Sequence, residues 1–228
     1  MNKVEEMIKN SAQRASTTRK EYRVHGTDVF IKDALPDNID MKKVVRQIEY
    51  LTPLSMFRNI DVIYIGQFDE FEERDINAFF ADGALYITNH QSDYNDMVDD
   101  IIHEMAHSTE ELYQKEIYSD GKIEDEFLSK RDTLRRILSS LDYDIGNYDF
   151  SDVEYSKEFD HLLLQVVGYP KLTNLTRGIF ASPYSATSLR EYWATGFEEY
   201  LLGDRRFLAH TSPKLYNKIN TLFETEKE

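Results

Sequence analysis

The stretch Asp93 to Tyr113, DYNDMVDDIIHEMAHSTEELY, constrains this chain more than any other, because it fixes a helix, a buried face and a set of reactive side chains together. Met97, Val98, Ile101, Ile102, Met105 and Ala106 recur at helical intervals, the pattern of an amphipathic helix that turns one face to a core. Residues four apart share a helical face, so His103 and His107 offer imidazole nitrogens from successive turns, on a face adjoining the apolar one. Glu104 falls beside the pair. His-Glu-x-x-His is the spacing at which two histidines ligate one zinc ion and the glutamate serves as a base toward water. Chance would produce it in on the order of one chain in a hundred of this composition, so coincidence is the weaker reading.

At 228 residues the chain is long enough for one sizeable core, or at most two small ones. A formal charge of −15, from 42 acidic against 27 basic residues, repels phosphate backbones and argues against nucleic acid as a partner. A polypeptide, extended or basic, suits such a surface better. With no cysteine, disulfides, thiolate metal sites and a cysteine nucleophile are excluded together. The opening residues, MNKVEEMIKNSAQRASTTRK, lack the apolar core of a signal peptide, and no later run approaches the length of a membrane span. These features predict a soluble protein, intracellular or virion-associated, with no membrane partner.

In chain order, Met1 to Lys20 reads as a polar arm with a weak apolar repeat at Val4, Met7 and Ile8. Glu21 to Lys32 reads as strand, turn, strand, and Asp40 to Leu51 as a helix that carries Val44, Val45 and Ile48 and ends before Pro53. Asp61 to Phe68, rich in β-branched and aromatic residues, predicts a central strand, followed by a charged loop, DEFEERD. Ala78 to Asn89 predicts a hairpin turning at Asp82-Gly83. Its second strand, Ala84 to Thr88, runs into the His-Glu-x-x-His helix and is expected to be a sheet edge able to pair with an extended peptide.

Beyond the helix, Glu124 to Leu141 has the pattern of a second helix built on Phe127, Leu128, Leu134, Ile137, Leu138 and Leu141, and an acidic, tyrosine-rich loop follows. Asp160 to Val167 predicts another helix, stopped by Gly168 and Pro170, with His161 packed in an apolar neighbourhood. A further helix begins after Thr187-Ser188, buries Leu189, Trp193, Phe197, Tyr200 and Leu201, and stops at Gly203.

A catalytic zinc needs a third protein ligand, which in a chain without cysteine comes from a histidine or a carboxylate. His25, His90, His161 and His210 are available, and so is Glu191. Glu191 also fits as the capping-box partner of Ser188, since Ser-x-x-Glu is the signature of that motif.

The motif HEMAH followed by Tyr184-x6-Glu191 and an aromatic-rich Glu-Tyr-Trp-Ala helix resembles the metallopeptidase family of anthrax lethal factor and the clostridial Pro-Pro endopeptidases. The resemblance runs from Gly83 to Asp204 in the order of elements, and its specific matches are confined to the two motifs. It implies a zincin-like α+β fold: a small mixed sheet with an edge strand next to the active-site helix, then a mostly helical C-terminal half. It also implies that His103, His107 and Glu191 ligate one Zn2+, that Glu104 is the base, and that Tyr184 donates to the oxyanion. The implied organisation is a single metallopeptidase domain: an arm (1–20), a sheet and active-site helix (21–112), a helical and acidic insertion (113–170), and a C-terminal helical part holding the third ligand (171–228).

Two departures stand out. His107 and Glu191 are 84 residues apart, longer than the family spacing, which makes Tyr118 to Phe159 an insertion. One turn after Glu191, relatives usually carry a carboxylate that orients a zinc-bound histidine, where this chain has Thr195; Glu198, Asp99 or Asp100 are the available substitutes. The rival reading is a catalytically silent zincin-like binding or structural protein, closed by a fourth ligand such as His90 or His161. Glu104 speaks against it, because a purely structural site has no use for a base beside an open coordination position.

Overall fold

The structure, a computed structural model, describes residues 21–74 and 76–225. The polar arm expected over residues 1–20 lies outside them. The chain divides into two compact units, Met1–Ser108 and Thr109–Glu228.

The N-terminal unit is built on a mixed sheet of strands β1 (Glu21–Val24), β2 (Thr27–Ile31), β3 (Val62–Gly66), β4 (Ala78–Ala81) and β5 (Ala84–Thr88), in the order β1-β2-β3-β5-β4. The two hairpins form where the sequence predicts them. His25 and Gly26, and then Asp82 and Gly83, all take positive φ, as a two-residue turn matched to the twist of its strands requires. β3 pairs in parallel with β2 and β5 and is the central strand that its β-branched run predicts.

The edge expectation is overturned. β5 is hydrogen-bonded on both sides, parallel to β3 and antiparallel to β4, so Ala84–Thr88 is an interior strand. The Asp82-Gly83 hairpin folds β4 onto the outside of β5, which makes Ala78–Ala81 an edge of the sheet among the described residues. Period-two alternation separates the faces of the sheet. Val29, Ile31, Ile63, Ile65, Leu85 and Ile87 are buried on one. On the other, the registered residues Phe30, Tyr64, Tyr86 and Phe79 form a half-buried row of rings whose centroids are 5.9, 5.5 and 4.5 Å apart.

Helix α1 (Met41–Leu51) is capped by the Asp40 carboxylate, which accepts from Lys42 N at 3.0 Å, and it buries Met41, Val44 and Ile48. A 3-10 turn, Leu54–Phe57, follows. The expected charged loop instead contains a short helix, α2 (Asp69–Arg74). Asp69, Glu70 and Glu72 sit in its first turn, where the helix dipole favours negative charge, and Phe71 packs edge-on against Phe68 with centroids 5.4 Å apart. Helix α3 (Tyr94–Leu112) is the predicted His-Glu-x-x-His helix, and Asp93 caps it by accepting from Asn95 N at 2.6 Å.

The C-terminal unit is helical: α4 (Gln114–Tyr118), α5 (Lys122–Ser140), α6 (Lys157–His161), a π-helical turn (Leu162–Gly168), α7 (Tyr169–Thr176), a 3-10 turn (Tyr184–Ala186), α8 (Leu189–Leu202), α9 (Arg205–Thr211) and α10 (Pro213–Thr225). The predicted stop at Gly168 and Pro170 is a break rather than an end. The backbone turns at Gly168 and helix resumes, with Pro170 in the first turn of α7, where its missing N–H is no loss. His161, expected in an apolar setting, is exposed, and Leu141 is 45% exposed just past the end of α5. α8 buries Trp193, Phe197, Tyr200 and Leu201 as predicted, whereas Leu189 is only half-buried. Close approach is built in at Gly196, where a Cβ would stand 2.3 Å from Leu215 Cδ2 of α10. Among the described residues no helix is long and apolar enough to cross a membrane.

Candidate metal centre

α3 positions its histidines through its own burial. Met97, Val98, Ile101, Ile102, Met105 and Ala106 are all buried, and so are Glu104, His107, Ser108 and Thr109, which leaves His103 the only half-exposed residue from 101 to 109. The polar members of this run have partners. Ser108 Oγ donates to Asn59 O at 3.3 Å, and Gln91 Nε2 joins Thr88 O (3.1 Å) at the end of β5 to the Asp100 carboxylate (2.7 Å). These bonds fix the rotation of α3 on both sides of the histidine pair. A helix so held has one face to offer, and His103 and His107 share it.

The two imidazoles meet at their Nε2 atoms, 3.2 Å apart, with ring centroids at 4.8 Å and planes at 81°. Two nitrogens on one tetrahedral zinc, each about 2.0–2.1 Å from the ion, stand about 3.3 Å apart. The observed separation fits that geometry. One ligand atom each from His103, His107 and Glu191 lies within 4.8 Å of the other two, so these residues form a group able to hold a metal ion. Neutral imidazoles and a carboxylate are the donor set that zinc accepts in catalytic sites. Among the described residues the group has three members, and His25, His90, His161 and His210 are not in it. His25 Nε2 instead lies 2.8 Å from Thr52 O, and His90, His161 and His210 are exposed.

Glu191 stands in the first turn of α8. Ser188 is the N-cap, its Oγ accepting from Glu191 N at 3.1 Å, which is the serine half of the capping-box signature, and the Glu191 carboxylate is a member of the metal group. Tyr184 opens the 3-10 turn before α8 and is half-buried. Its turn is closed by Thr187, whose N and Oγ1 both donate to Tyr184 O, at 3.0 and 2.8 Å.

The segment expected to be an insertion supplies the support for this second motif. Arg131 of α5, 1% exposed, donates from Nε to Ala186 O (3.0 Å), from Nη2 to Thr187 O (3.1 Å) and from Nη1 to Asp152 O, while its guanidinium lies 3.9 Å from the centre of the Phe159 ring. Burial lowers its pKa to about 10, which still leaves it charged at neutral pH. Leu189 N donates to Val153 O at 2.8 Å, and Tyr192 OH to Glu126 Oε1 at 2.9 Å. The neighbouring Lys130, its pKa lowered to about 8 by burial, gives its three ammonium protons to Ile179 O, Thr211 O and Ser212 Oγ. At the start of α8, Arg190 Nε lies 3.8 Å from Glu110 Oε2, and Glu110 is three residues beyond His107 on α3. Glu110 also accepts from Tyr118 OH at 2.5 Å, and burial raises its pKa.

Sequence reasoning missed Arg131 and Lys130. Their one visible signal is a pair of cations on α5 following the apolar positions Phe127 and Leu128, a place where solvated charge is unusual. Thr195, at the position where a carboxylate was expected, is buried and turned into its own unit: Oγ1 lies 2.6 Å from Glu191 O and 2.6 Å from Ser185 Oγ. Comparison of the chain with protein-family models, curated proteins and solved structures finds no match.

Proposed function

We propose that this protein is a zinc-dependent endopeptidase of the zincin type. The observation that carries the reading is the grouping of Glu191 with His103 and His107 despite the 84 residues that separate it from the second histidine. A set of two imidazoles and one carboxylate leaves a tetrahedral ion an open position, and the buried Glu104 follows His103 on the same helix.

When bound, zinc would lower the pKa of water to about 7 and polarise the scissile carbonyl. The chain's own residues do the rest. Glu104 takes a proton from the attacking water and delivers it to the leaving amine, so the amide nitrogen departs neutral as the C–N bond breaks. Tyr184 donates its phenolic O–H to the oxygen that becomes negative, a contact stronger in the transition state than in the ground state. The substrate is a polypeptide bound in extended form. The main-chain groups along the outer side of β4, the sheet edge, are the pairing partners that β-strand addition uses, and the −15 charge favours basic sequences.

The test is peptide-library cleavage by wild type and by Glu104→Ala, both loaded with zinc. Cleavage by wild type and none by the variant supports the reading. Equal cleavage by both, or none by either, removes it.

A further inference from the structure

Thr195 and Ser185 are both buried, and their hydroxyl oxygens are 2.6 Å apart. Each hydroxyl has one proton to give. Thr195 Oγ1 is 2.6 Å from the carbonyl of Glu191, which can only accept, so Thr195 spends its proton there. Ser185 must then donate to Thr195. The Ser185 oxygen in turn accepts from Ser182 N at 3.1 Å. The direction of the chain is therefore fixed: Ser182 N–H to Ser185 O–H to Thr195 O–H to the Glu191 carbonyl. Ser185 directly follows Tyr184 in the 3-10 turn, and the Glu191 carbonyl lies in the first turn of α8. The relay thus joins, inside the C-terminal unit, the turn that carries the tyrosine to the turn that carries the carboxylate.

A core position needs only volume, which valine would supply as well as threonine. Valine here would remove the acceptor 2.6 Å from the Ser185 hydroxyl and leave it the Ser182 hydroxyl at 3.3 Å, so its proton would turn away from α8 and the tie between the two turns would be lost.

We infer that Thr195 is a positioning residue: acting through Ser185, it sets where the Tyr184 hydroxyl stands relative to Glu191, and so controls kcat rather than metal or substrate binding. The inference rests on the peptidase reading above and gives the Tyr184 turn its reason for being tied to α8.

The experiment is a cycle on the zinc-loaded full chain: wild type, Thr195→Val, Thr195→Ser, Tyr184→Phe and the double variant Thr195→Val/Tyr184→Phe. Misplacement of a catalytic group by about an ångström costs up to roughly a hundredfold. Thr195→Val is expected to keep its zinc and its KM and to lose between about tenfold and a hundredfold in kcat, and Thr195→Ser to recover most of that loss. In the Tyr184→Phe background the same Thr195→Val change should cost nothing further, because the hydroxyl it positions is already gone. A purely structural role moves kcat equally in both backgrounds, and that result, or unchanged kcat in Thr195→Val, overturns the inference while leaving the peptidase reading intact. A wild type that cleaves no peptide removes both. If Thr195→Val does not fold, Ser185→Ala carries the same expectation and the same overturning results.

Discussion

The two motifs of the candidate centre are held by different means. His103, Glu104 and His107 stand on one helix whose support is mainly apolar: Met97, Val98, Ile101, Ile102, Met105 and Ala106 lie buried along it, and the hydrogen bonds of Asp100 and Ser108 add the rotation. Tyr184 and Glu191 stand on a short turn and a helix start whose support is polar and charged: the Arg131 guanidinium on the Ala186 and Thr187 carbonyls, Val153 O on Leu189 N, and Ser188 on Glu191 N. Apolar burial is non-directional and tolerant of small shifts. Hydrogen bonds to buried carbonyls are directional and fail abruptly when one partner is removed. A histidine pair needs only a correctly rotated helix, whereas an irregular turn has backbone groups that something must satisfy.

The sharpest break in this comparison is at the ligands themselves. His107→Ala removes one of the three donors, and metal content and hydrolysis are both expected to fall to background, read by elemental analysis and peptide cleavage. Retained activity would take the α3 motif out of the chemistry.

Next is the support. Arg131→Met leaves two buried carbonyls, Ala186 O and Thr187 O, and the part-buried Asp152 O without their donor, and it should destabilise by about 1–3 kcal/mol for each buried carbonyl in urea unfolding. Met105→Ala, in the apolar support of α3, should cost about 2–5 kcal/mol by cavity formation. The two differ in kind: the Arg131 site depends on geometry as well as charge, so Arg131→Lys should remain well below wild type, because an ammonium cannot reproduce the guanidinium fork. Full recovery by lysine would mean that charge alone holds the turn.

On the proposed mechanism Tyr184→Phe removes a donor worth about 2.7–4 kcal/mol in the transition state, so kcat should drop by roughly a hundredfold or more while zinc is retained. Gly196→Ala sets a Cβ against Leu215 and should cost about 1–3 kcal/mol by overpacking, with no direct effect on chemistry.

The smallest effect is pH-dependent. Burial raises the Glu110 pKa above the ordinary glutamate range, against the opposing pull of the Tyr118 hydrogen bond and of Arg190. A carboxyl that holds its proton more tightly when folded contributes stability below the unfolded pKa and loses it as pH rises through the folded value. Glu110→Gln should therefore melt higher than wild type at pH 7, and the difference should close toward pH 4. A difference that widens in acid would mean that the ion pair, and not burial, governs this residue.

The same contrast explains what the sequence made legible. The α3 motif could be read because its spacing and its apolar seam are contiguous, and both hairpins could be read from a glycine between strands, at Gly26 and in Asp82-Gly83. β5 was misplaced as an edge because neighbour order in a sheet is set by packing that no local pattern encodes, and here the hairpin puts β4 outside it. α2 was hidden by its own charge: a run of acidic residues reads as a loop until Phe71 is seen to bury. Arg131 and Lys130 were missed for the same reason in reverse, since a buried cation looks like any surface cation until the carbonyls that receive it, 21 to 81 residues away, are brought to it.

The central claim is that one metal ion is held jointly by both motifs, and zinc stoichiometry under competition with a chelator tests it most directly. The account predicts about one zinc per chain in wild type, retained in Glu104→Ala, and lost at far lower chelator concentration in Glu191→Ala. Wild-type protein without zinc, or a Glu191→Ala variant that holds zinc as tightly as wild type, would contradict it.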